Sequence, residues 1–478
     1  MVIKMQCAVR FILNNEVQNE VLPAGMSTLD YLRNIKKLRG TKEGCREGDC
    51  GACTVLAGRQ SGGSLIYKPA NSCLLPAARL NGSHLVTIEG LNSSGLTLLQ
   101  QYFAEEGASQ CGYCTPGFII SLTGYFLSNK TFSIEDAADS IAGNLCRCTG
   151  YGSIKRAIEK TVTELSRDKE ESTLERLVRK NIIPDYFSGI GERLKGLNYE
   201  DTGNYTSEKS KFIIAGGTDL YVRRWDEIAE AEITLIHKTA EQPVIIKDGE
   251  CIIDAAATIS DLMNSTELLE IVPCLKKHLS LFASMPIRSQ ATLGGNIANG
   301  SPIADSVVYF LPFDPVLRLS GRSGERAVRL SEFYSGYKQL DLKDGEVIKC
   351  MSFRVPEGNY YYNFEKVSKR EHLDIASVNS AAYIEADQNG RIIDVRLSAG
   401  GVAPFPLLLN KTAESLTGNE ISFAAVLEAA EKSREDISPI SDIRGSAGYK
   451  ALLLRQLIIS HFITLFPEQT EFSEEALL

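Results

Sequence analysis

Three cysteines crowd the stretch EGCREGDCGACTV: Cys45, Cys50 and Cys53, spaced C-x4-C-x2-C, with Cys73 following in NSCLLP. Disulfides need pairs, and a structural zinc site usually draws its ligands from two C-x2–4-C units. Three thiolates on one tight loop suit something larger. The spacing is the plant-type [2Fe–2S] pattern, in which four soft thiolates hold two irons and Cys73 supplies the fourth ligand. Gly44, Gly48 and Gly51 let the backbone turn sharply and come close to the inorganic sulfides. Backbone N–H groups aimed at the sulfurs would then tune the potential. A zinc site is the alternative chemistry.

A second constellation pairs Cys111 and Cys114 in CGYC with Cys146 and Cys148 in CRC. On spacing alone it suits a cluster, a zinc ion or a redox dithiol. Nine of the twelve cysteines fall within the first 148 residues. Cys7, Cys251, Cys274 and Cys350 read as small buried hydrophobes. With no secretion signal visible in MVIKMQCAVRFILNNE, structural disulfides are not expected and a cytoplasmic location is. The formal net charge of −9 argues against nucleic-acid or membrane-surface partners. No apolar run approaches the ~20 residues of a transmembrane helix. The five histidines are scattered and show no metal-ligand spacing; His372 falls in a charged loop considered below.

The elements that must position these residues follow from periodicity. QCAVRFILN and GACTVLAG alternate as strands, and STLDYLRNI reads as a helix capped by Ser27 or Thr28. Between about 95 and 165 four segments have helical spacing, with Pro116 just inside the second. Residues 160–210 are charged and weakly periodic, except for the island IIPDYFSGIGERLKGL, which is expected to dock on a neighbour. From 211 the chain is mixed, with FIIAGG and EITLIH as strands. SVNSAAYIEA then reads as a strand, and SFAAVLEAAEKS and YKALLLRQLIISHFITLF as helices.

FIIAGGTDLYV joins a strand to a small-residue turn that can present N–H groups to a phosphate. It lacks the G-x-G-x-x-G fingerprint, so alone it is an ordinary strand–turn. ATLGGNIANGSPIADS offers a glycine-rich loop suited to a pyrophosphate, with Asp305 available for ribose or ribityl hydroxyls.

CGYCTPGFI together with GNLCRCTGY resembles the second cluster domain of the molybdenum hydroxylases, the xanthine dehydrogenase and aldehyde oxidase family. The order, plant-type cluster first, is similar to that family's iron–sulfur part, and the two later glycine motifs resemble its FAD domain. The resemblance implies an α+β multidomain chain. Residues 1–80 would form a plant-type ferredoxin β-grasp domain and 81–165 a four-helix-type [2Fe–2S] domain. A linker over 166–205 would lead to a two-part α/β FAD-binding domain at 206–357 and a C-terminal α+β domain at 358–478.

The resemblance also implies the flavin contacts. Ile213, Ile214, Ala215, Gly216 and Gly217, with Thr218, Asp219 and Leu220 after them, would wrap the pyrophosphate. Thr292, Leu293, Gly294, Gly295 and Asn296 would complete that pocket. Phe282 would lie near the flavin ring, and Asp305, Ile348 and Lys366 would touch FAD. KVSKREHLDIASV, which holds His372, and LSAGGVAPFPLLLNKTAESLTG are similar to the family's flavoprotein segments.

The family's hydroxylation occurs at a molybdenum cofactor, so the resemblance implies a separate large subunit carrying it and no catalytic residue in this chain. It further implies two [2Fe–2S] clusters, FAD, NAD+ as acceptor and a dimer of heterodimers, as in the small subunit of bacterial xanthine dehydrogenase. Three alternatives remain open. One is the equivalent subunit of an aldehyde, nicotinate or other heterocycle dehydrogenase. Another is a non-catalytic metal-binding module with a degenerate flavin site. The third is a flavin oxidase that uses clusters only structurally.

Overall fold

The computed structural model describes residues 6–92, 95–167, 172–197, 210–238, 242–370 and 372–470. They form two compact units, Met1–His237 with Ser284–Ala291, and Lys238–Ala283 with Thr292–Leu478.

The first unit begins with a five-stranded sheet ordered β2-β1-β5-β3-β4, from β1 (Gln6–Leu13), β2 (Glu16–Pro23), β3 (Thr54–Ser61), β4 (Ser64–Asn71) and β5 (His84–Val86). β1 and β5 run parallel, and the β1–β2 and β3–β4 hairpins are antiparallel. Alternation on β1 buries Cys7, Val9 and Phe11. Against that face lies α1 (Thr28–Asp30), which continues through Tyr31–Ile35; Ser27 caps it by accepting from the Asp30 N–H. Tyr31 meets Phe11 edge-on at 5.8 Å. This is a β-grasp arrangement, and Cys53 and Cys73 sit inside its core.

Four helices follow: α2 (Leu98–Glu105), α3 (Thr115–Ser128), α4 (Ile134–Ser140) and α5 (Gly152–Leu165). Thr97 and Gln100 form a capping box for α2, and Pro116 stands in the first turn of α3, where its missing N–H leaves no bond unmade. Phe103, Phe118, Phe126, Ile154 and Ile158 pack into one core. Residues 172–197 fall inside the stretch the sequence suggests is a linker, yet they fold into α6 (Thr173–Arg179) and α7 (Phe187–Lys195). Leu177, Ile182, Ile183 and Phe187 join the helical core, and Ile190, Leu194 and Leu197 pack on Ile12 of β1. The apolar island therefore docks, and the charges around it are its solvent face. The rest of the 166–205 stretch lies largely outside the described residues.

Two short parallel strands, β6 (Phe212–Ile214) and β7 (Ile233–Leu235), are bridged by α8 (Leu220–Glu230). Phe212, Ile214, Tyr221, Ile228 and Leu235 share a core with Cys53, Cys73 and Leu74.

The second unit holds two antiparallel sheets. One is ordered β11-β10-β14-β9-β8, built from β8 (Val244–Lys247), β9 (Glu250–Asp254), β10 (Val316–Gly321), β11 (Gly324–Arg329) and β14 (Val347–Arg354). A small pair, β12 (Tyr334–Gly336) and β13 (Gln339–Leu340), stands apart from it. The other is ordered β15-β16-β17-β18: β15 (Tyr360–Val367), β16 (Val378–Ala386), β17 (Ile392–Gly400) and β18 (Leu407–Leu408). Helices Phe423–Lys432 and Ala447–Leu465 cover its apolar face through Val426, Leu454, Ile458 and Phe462.

Among the described residues no helix is long and apolar enough to cross a membrane. The lone cysteines divide: Cys7 and Cys251 are buried as expected, whereas Cys274 is exposed and Cys350 half-buried. Cys274 immediately precedes the helix Leu275–Ser280, whose buried side chains are Leu275, His278 and Leu279.

Candidate functional site

The loop from Gly44 to Cys53 is held open by its backbone. Gly48 and Gly51 have left-handed φ of 81° and 65°. A Cβ at Gly44 would stand 2.6 Å from the Cys50 Sγ, so the chain passes too near the thiols for a side chain there. Arg46 also adopts positive φ, 56°, and is fixed from three sides. It bonds Asp30 at 2.7 Å and Glu43 at 2.6 Å, and lies 4.5 Å over the Trp225 ring.

The thiols meet in pairs. Cys53 and Cys73 are 3.3 Å apart, and the Cys50 thiol hydrogen-bonds the Cys45 sulfur. That bond from Cys50, opposed by burial and helped by backbone N–H groups, pulls Cys45 down to about 5. The Glu47 and Cys50 N–H groups donate to its sulfur at 3.3 and 3.4 Å. Cys73, by contrast, is pushed up by the Cys53 contact and by burial.

In the helical domain Cys114 meets Cys146, and Cys111 meets Cys148. Burial and the neighbouring Cys146 push Cys114 up to about 12. Thr149 donates its hydroxyl to the Cys146 sulfur at 3.2 Å, and the Tyr151 hydroxyl accepts from the Cys146 N–H at 3.0 Å. Tyr151 itself takes positive φ, 66°, at the start of α5. Among the described residues no three His, Cys, Asp or Glu side chains surround a point suited to one metal ion. Two thiols per contact, two contacts per quartet, is instead the arrangement a two-iron group needs, with a pair of terminal thiolates at each iron. The residues fit [2Fe–2S] groups.

The two quartets are bound together. The Leu145 N–H donates to the Cys50 carbonyl at 3.0 Å, and Asn144 Nδ2 donates to the Gly51 carbonyl at 3.1 Å. The Ser121 hydroxyl donates to Asn144 Oδ1 at 2.8 Å, and Tyr113 donates to the Glu43 carbonyl. Asn144 is buried and was not singled out by sequence reasoning. Its place two residues before Cys146 was the only available signal.

Of the flavin residues, Ile213–Leu220 belong to the first unit. Gly217 has φ 79°, and a Cβ on Gly216 would meet the Gln290 carbonyl at 2.2 Å. Within the described residues the N–H groups of Gly216, Gly217 and Thr218 have no protein acceptor. The turn thus offers bare backbone donors, which suit a phosphate.

Thr292–Asn296 differ from the loop expected. They form the start of the helix Leu293–Asn299, with Thr292 as N-cap. The N–H groups of Leu293, Gly294, Gly295 and Asn296 are taken by Ala257, Ala255 and Thr292. Gly294 packs on Ala255, where a Cβ would come within 2.7 Å, so this segment gives close approach rather than free donors.

Asp305, in the same unit, is gripped at both oxygens: Lys366 Nζ donates at 2.8 Å and Asn379 Nδ2 at 2.6 Å. Lys366 also donates to the Leu281 carbonyl beside Phe282, at 2.8 Å. Phe282 and Ile348 are buried. Phe282 lies in a turn after a helix and packs on Phe364 at 5.2 Å, while Ile348 is on β14. Asn379 is a further residue the sequence did not flag; it is fully buried and its Oδ1 lacks a partner among the described residues. Within the first unit, the bare donors of the Gly216–Thr218 turn fit the diphosphate of a flavin dinucleotide.

The fold and these sites define a chain of two iron–sulfur domains followed by a flavoprotein. Comparison with known families agrees in order and position. A 2Fe-2S iron-sulfur cluster binding domain matches residues 11–77 and a [2Fe-2S] binding domain 87–159. The FAD binding domain in molybdopterin dehydrogenase matches 200–358, and the CO dehydrogenase flavoprotein C-terminal domain 363–465. The four domains match, in order, the iron–sulfur and FAD part of molybdenum hydroxylases.

Xanthine dehydrogenase 1 of Arabidopsis thaliana is 27% identical over 93% of this chain and 38% of its own length. Xanthine dehydrogenase/oxidase of Gallus gallus is 26% identical over 95% and 40%. The chain therefore spans about two-fifths of the relatives it matches. In fold, carbon monoxide dehydrogenase from Hydrogenophaga pseudoflava is similar, with TM-score 0.51 and 23% identity over 55% of this chain and 91% of that one.

Proposed function

We propose that the chain is the electron-transfer subunit of a xanthine dehydrogenase-like molybdenum hydroxylase. It would carry electrons from the molybdenum site of a partner large subunit to NAD+, in a cytoplasmic dimer of heterodimers. When bound, the two [2Fe–2S] groups supply one-electron chemistry and FAD converts it to hydride transfer.

Cys45, Cys50, Cys53 and Cys73 would hold one iron–sulfur group, and Cys111, Cys114, Cys146 and Cys148 the other. The Ile213–Leu220 turn would hold the diphosphate; in the other unit Thr292–Asn296 would give the cofactor close approach, Asp305 would bond a flavin hydroxyl, Phe282 would lie near the ring, and Ile348 and Lys366 would touch FAD. The residues position these groups and tune them; none acts as an acid or base. The observation that carries the reading is the pairwise meeting of all eight cysteines in two quartets joined by the Leu145–Cys50 bond.

The test is the iron, acid-labile sulfide and FAD content of the anaerobically purified chain, with EPR after dithionite reduction. The reading expects about four irons, about four sulfides and one FAD, with two distinct rhombic signals. Zinc in place of iron, or no flavin, would overturn it.

A further inference from the structure

Arg79 lies on the helical turn Ala77–Leu80, shortly after Cys73, and reaches across to the strands that carry the flavin turn. Its Nη2 donates to the carbonyls of Ala215 and Ile236, at the C-terminal ends of β6 and β7, and its Nη1 contacts His237 Nδ1 at 3.4 Å. Nε is enclosed and has no partner among the described residues. Among the described residues no carboxylate pairs with it.

Among the described residues the charge that bears on it most is of its own sign. The Arg59 guanidinium donates to the Arg79 carbonyl, and burial followed by that neighbouring charge lowers the Arg79 guanidinium to about 10. His237 is held neutral by burial and by the same two arginines. A largely enclosed guanidinium without a counter-ion is costly unless something anionic arrives to meet it.

The turn it grips needs such a charge. Residues 213–220 contain no basic side chain and one acid, Asp219. The bare N–H groups of Gly216, Gly217 and Thr218 give partial charges only, whereas a diphosphate brings full ones. The turn is also built onto the iron–sulfur core: a Cβ at Gly217 would come within 3.1 Å of the Leu74 carbonyl, and the Tyr221 hydroxyl donates to the Gly25 carbonyl at 3.0 Å.

We propose that Arg79, a residue of the plant-type cluster domain, is the counter-charge for the flavin diphosphate on the Ala215–Gly217 turn. Flavin affinity is thereby made dependent on the domain that holds the first cysteine quartet. The inference rests on the flavin reading given above.

The test titrates FAD into the deflavinated full chain, clusters in place, following flavin fluorescence at several salt concentrations. Arg79→Met is expected to bind FAD about 30-fold more weakly, the loss typical of removing one partner of an enclosed charge pair. Its affinity should also fall less steeply with salt than that of the native chain. Arg79→Lys, which keeps the charge, is expected to recover part of the loss, and carries the test if Arg79→Met loses its iron. Binding by Arg79→Met within about threefold of native, or an unchanged salt slope, would overturn the role of Arg79 alone. A native chain that takes up no FAD would instead overturn the flavin reading.

Discussion

Gly51→Ala strikes the point where the two cysteine quartets touch. Gly51 has φ 65°, and its added Cβ would lie 2.3 Å from the Gly143 carbonyl oxygen and 2.5 Å from Asn144 Nδ2. Left-handed backbone costs alanine about 1 kcal/mol relative to glycine. The overlap costs a further 1–3 kcal/mol, roughly, because a carbonyl cannot rotate away and the loops must separate. Separation weakens the Asn144–Gly51 and Leu145–Cys50 bonds, each worth about 1 kcal/mol. With both bonds lost the total, roughly 4–6 kcal/mol, is a large part of the stability of a domain.

The matched control is Gly62→Ala in the β3–β4 hairpin, where φ is 55° and nothing lies within 4 Å of the new Cβ. That change should cost only the backbone strain, about 1 kcal/mol. Iron and sulfide assays, visible circular dichroism and urea unfolding should show Gly62→Ala with full cluster content. Gly51→Ala should be depleted at both sites. Equal iron content and equal unfolding midpoints in the two variants would refute the claim that the quartets share a rigid contact.

Four further outcomes are expected. Gly216→Ala, whose Cβ would meet the Gln290 carbonyl at 2.2 Å, should lower FAD content by absorbance more than it lowers iron content. Asp305→Ala strands the Lys366 ammonium, whose side chain is 2% exposed, and should cost about 3–5 kcal/mol by urea unfolding; adding Lys366→Met should return part of that loss. Cys73→Ser should abolish one of two EPR signals and leave the other, since only the Cys45–Cys53 quartet contains it. His84, bonded to Tyr67 at 2.6 Å and the Asn14 carbonyl at 2.7 Å, is lowered by burial from 6.5 to about 4. The unfolded chain thus binds the proton first, stability is full above about pH 6.5, and about 2 kcal/mol is lost on going to about pH 5; His84→Gln should flatten that slope in pH-dependent thermal unfolding.

The cysteine quartets were legible because ligand spacing is a local property: a loop that must wrap a group shows its thiols and glycines together in sequence. The β-grasp and helical segments were legible for the same reason, through the alternation of β1 and the 3.6-residue period of α3 and α5. Three things were not. The helices α6 and α7 hide in a charged stretch because their apolar residues, Leu177, Phe187, Ile190 and Leu194, are few and gain meaning only from the neighbours they meet. Thr292–Asn296 looked like a loop because Gly294 and Gly295 are poor helix formers, yet the Thr292 cap and the close packing on Ala255 outweigh that propensity. Asn144, Asn379 and Arg79 act through partners distant in sequence, and no spacing rule reports a contact of that kind.

That distance matters most for the segment Ser284–Ala291, which falls within the stretch matching the FAD domain but packs with the iron–sulfur unit. A Cβ on Gly48, in the first cysteine loop, would strike Ile287 at 2.6 Å; one on Gly143, before Cys146, would strike Ser284 at 2.8 Å. The Gln290 carbonyl closes on Gly216 in the flavin turn, and the Ser289 hydroxyl donates to the Pro69 carbonyl of β4. One eight-residue piece therefore abuts both cysteine loops and the phosphate turn. Interiors at this packing density transmit displacement rather than absorb it. A shift at either cysteine loop must then move the flavin turn, or open a gap against Ile287 or Ser284. On the proposed reading, electron transfer needs the cysteine loops and the flavin turn held in place, and within this unit Gly48, Gly143 and Gly216 are too tightly packed to accept a methyl group.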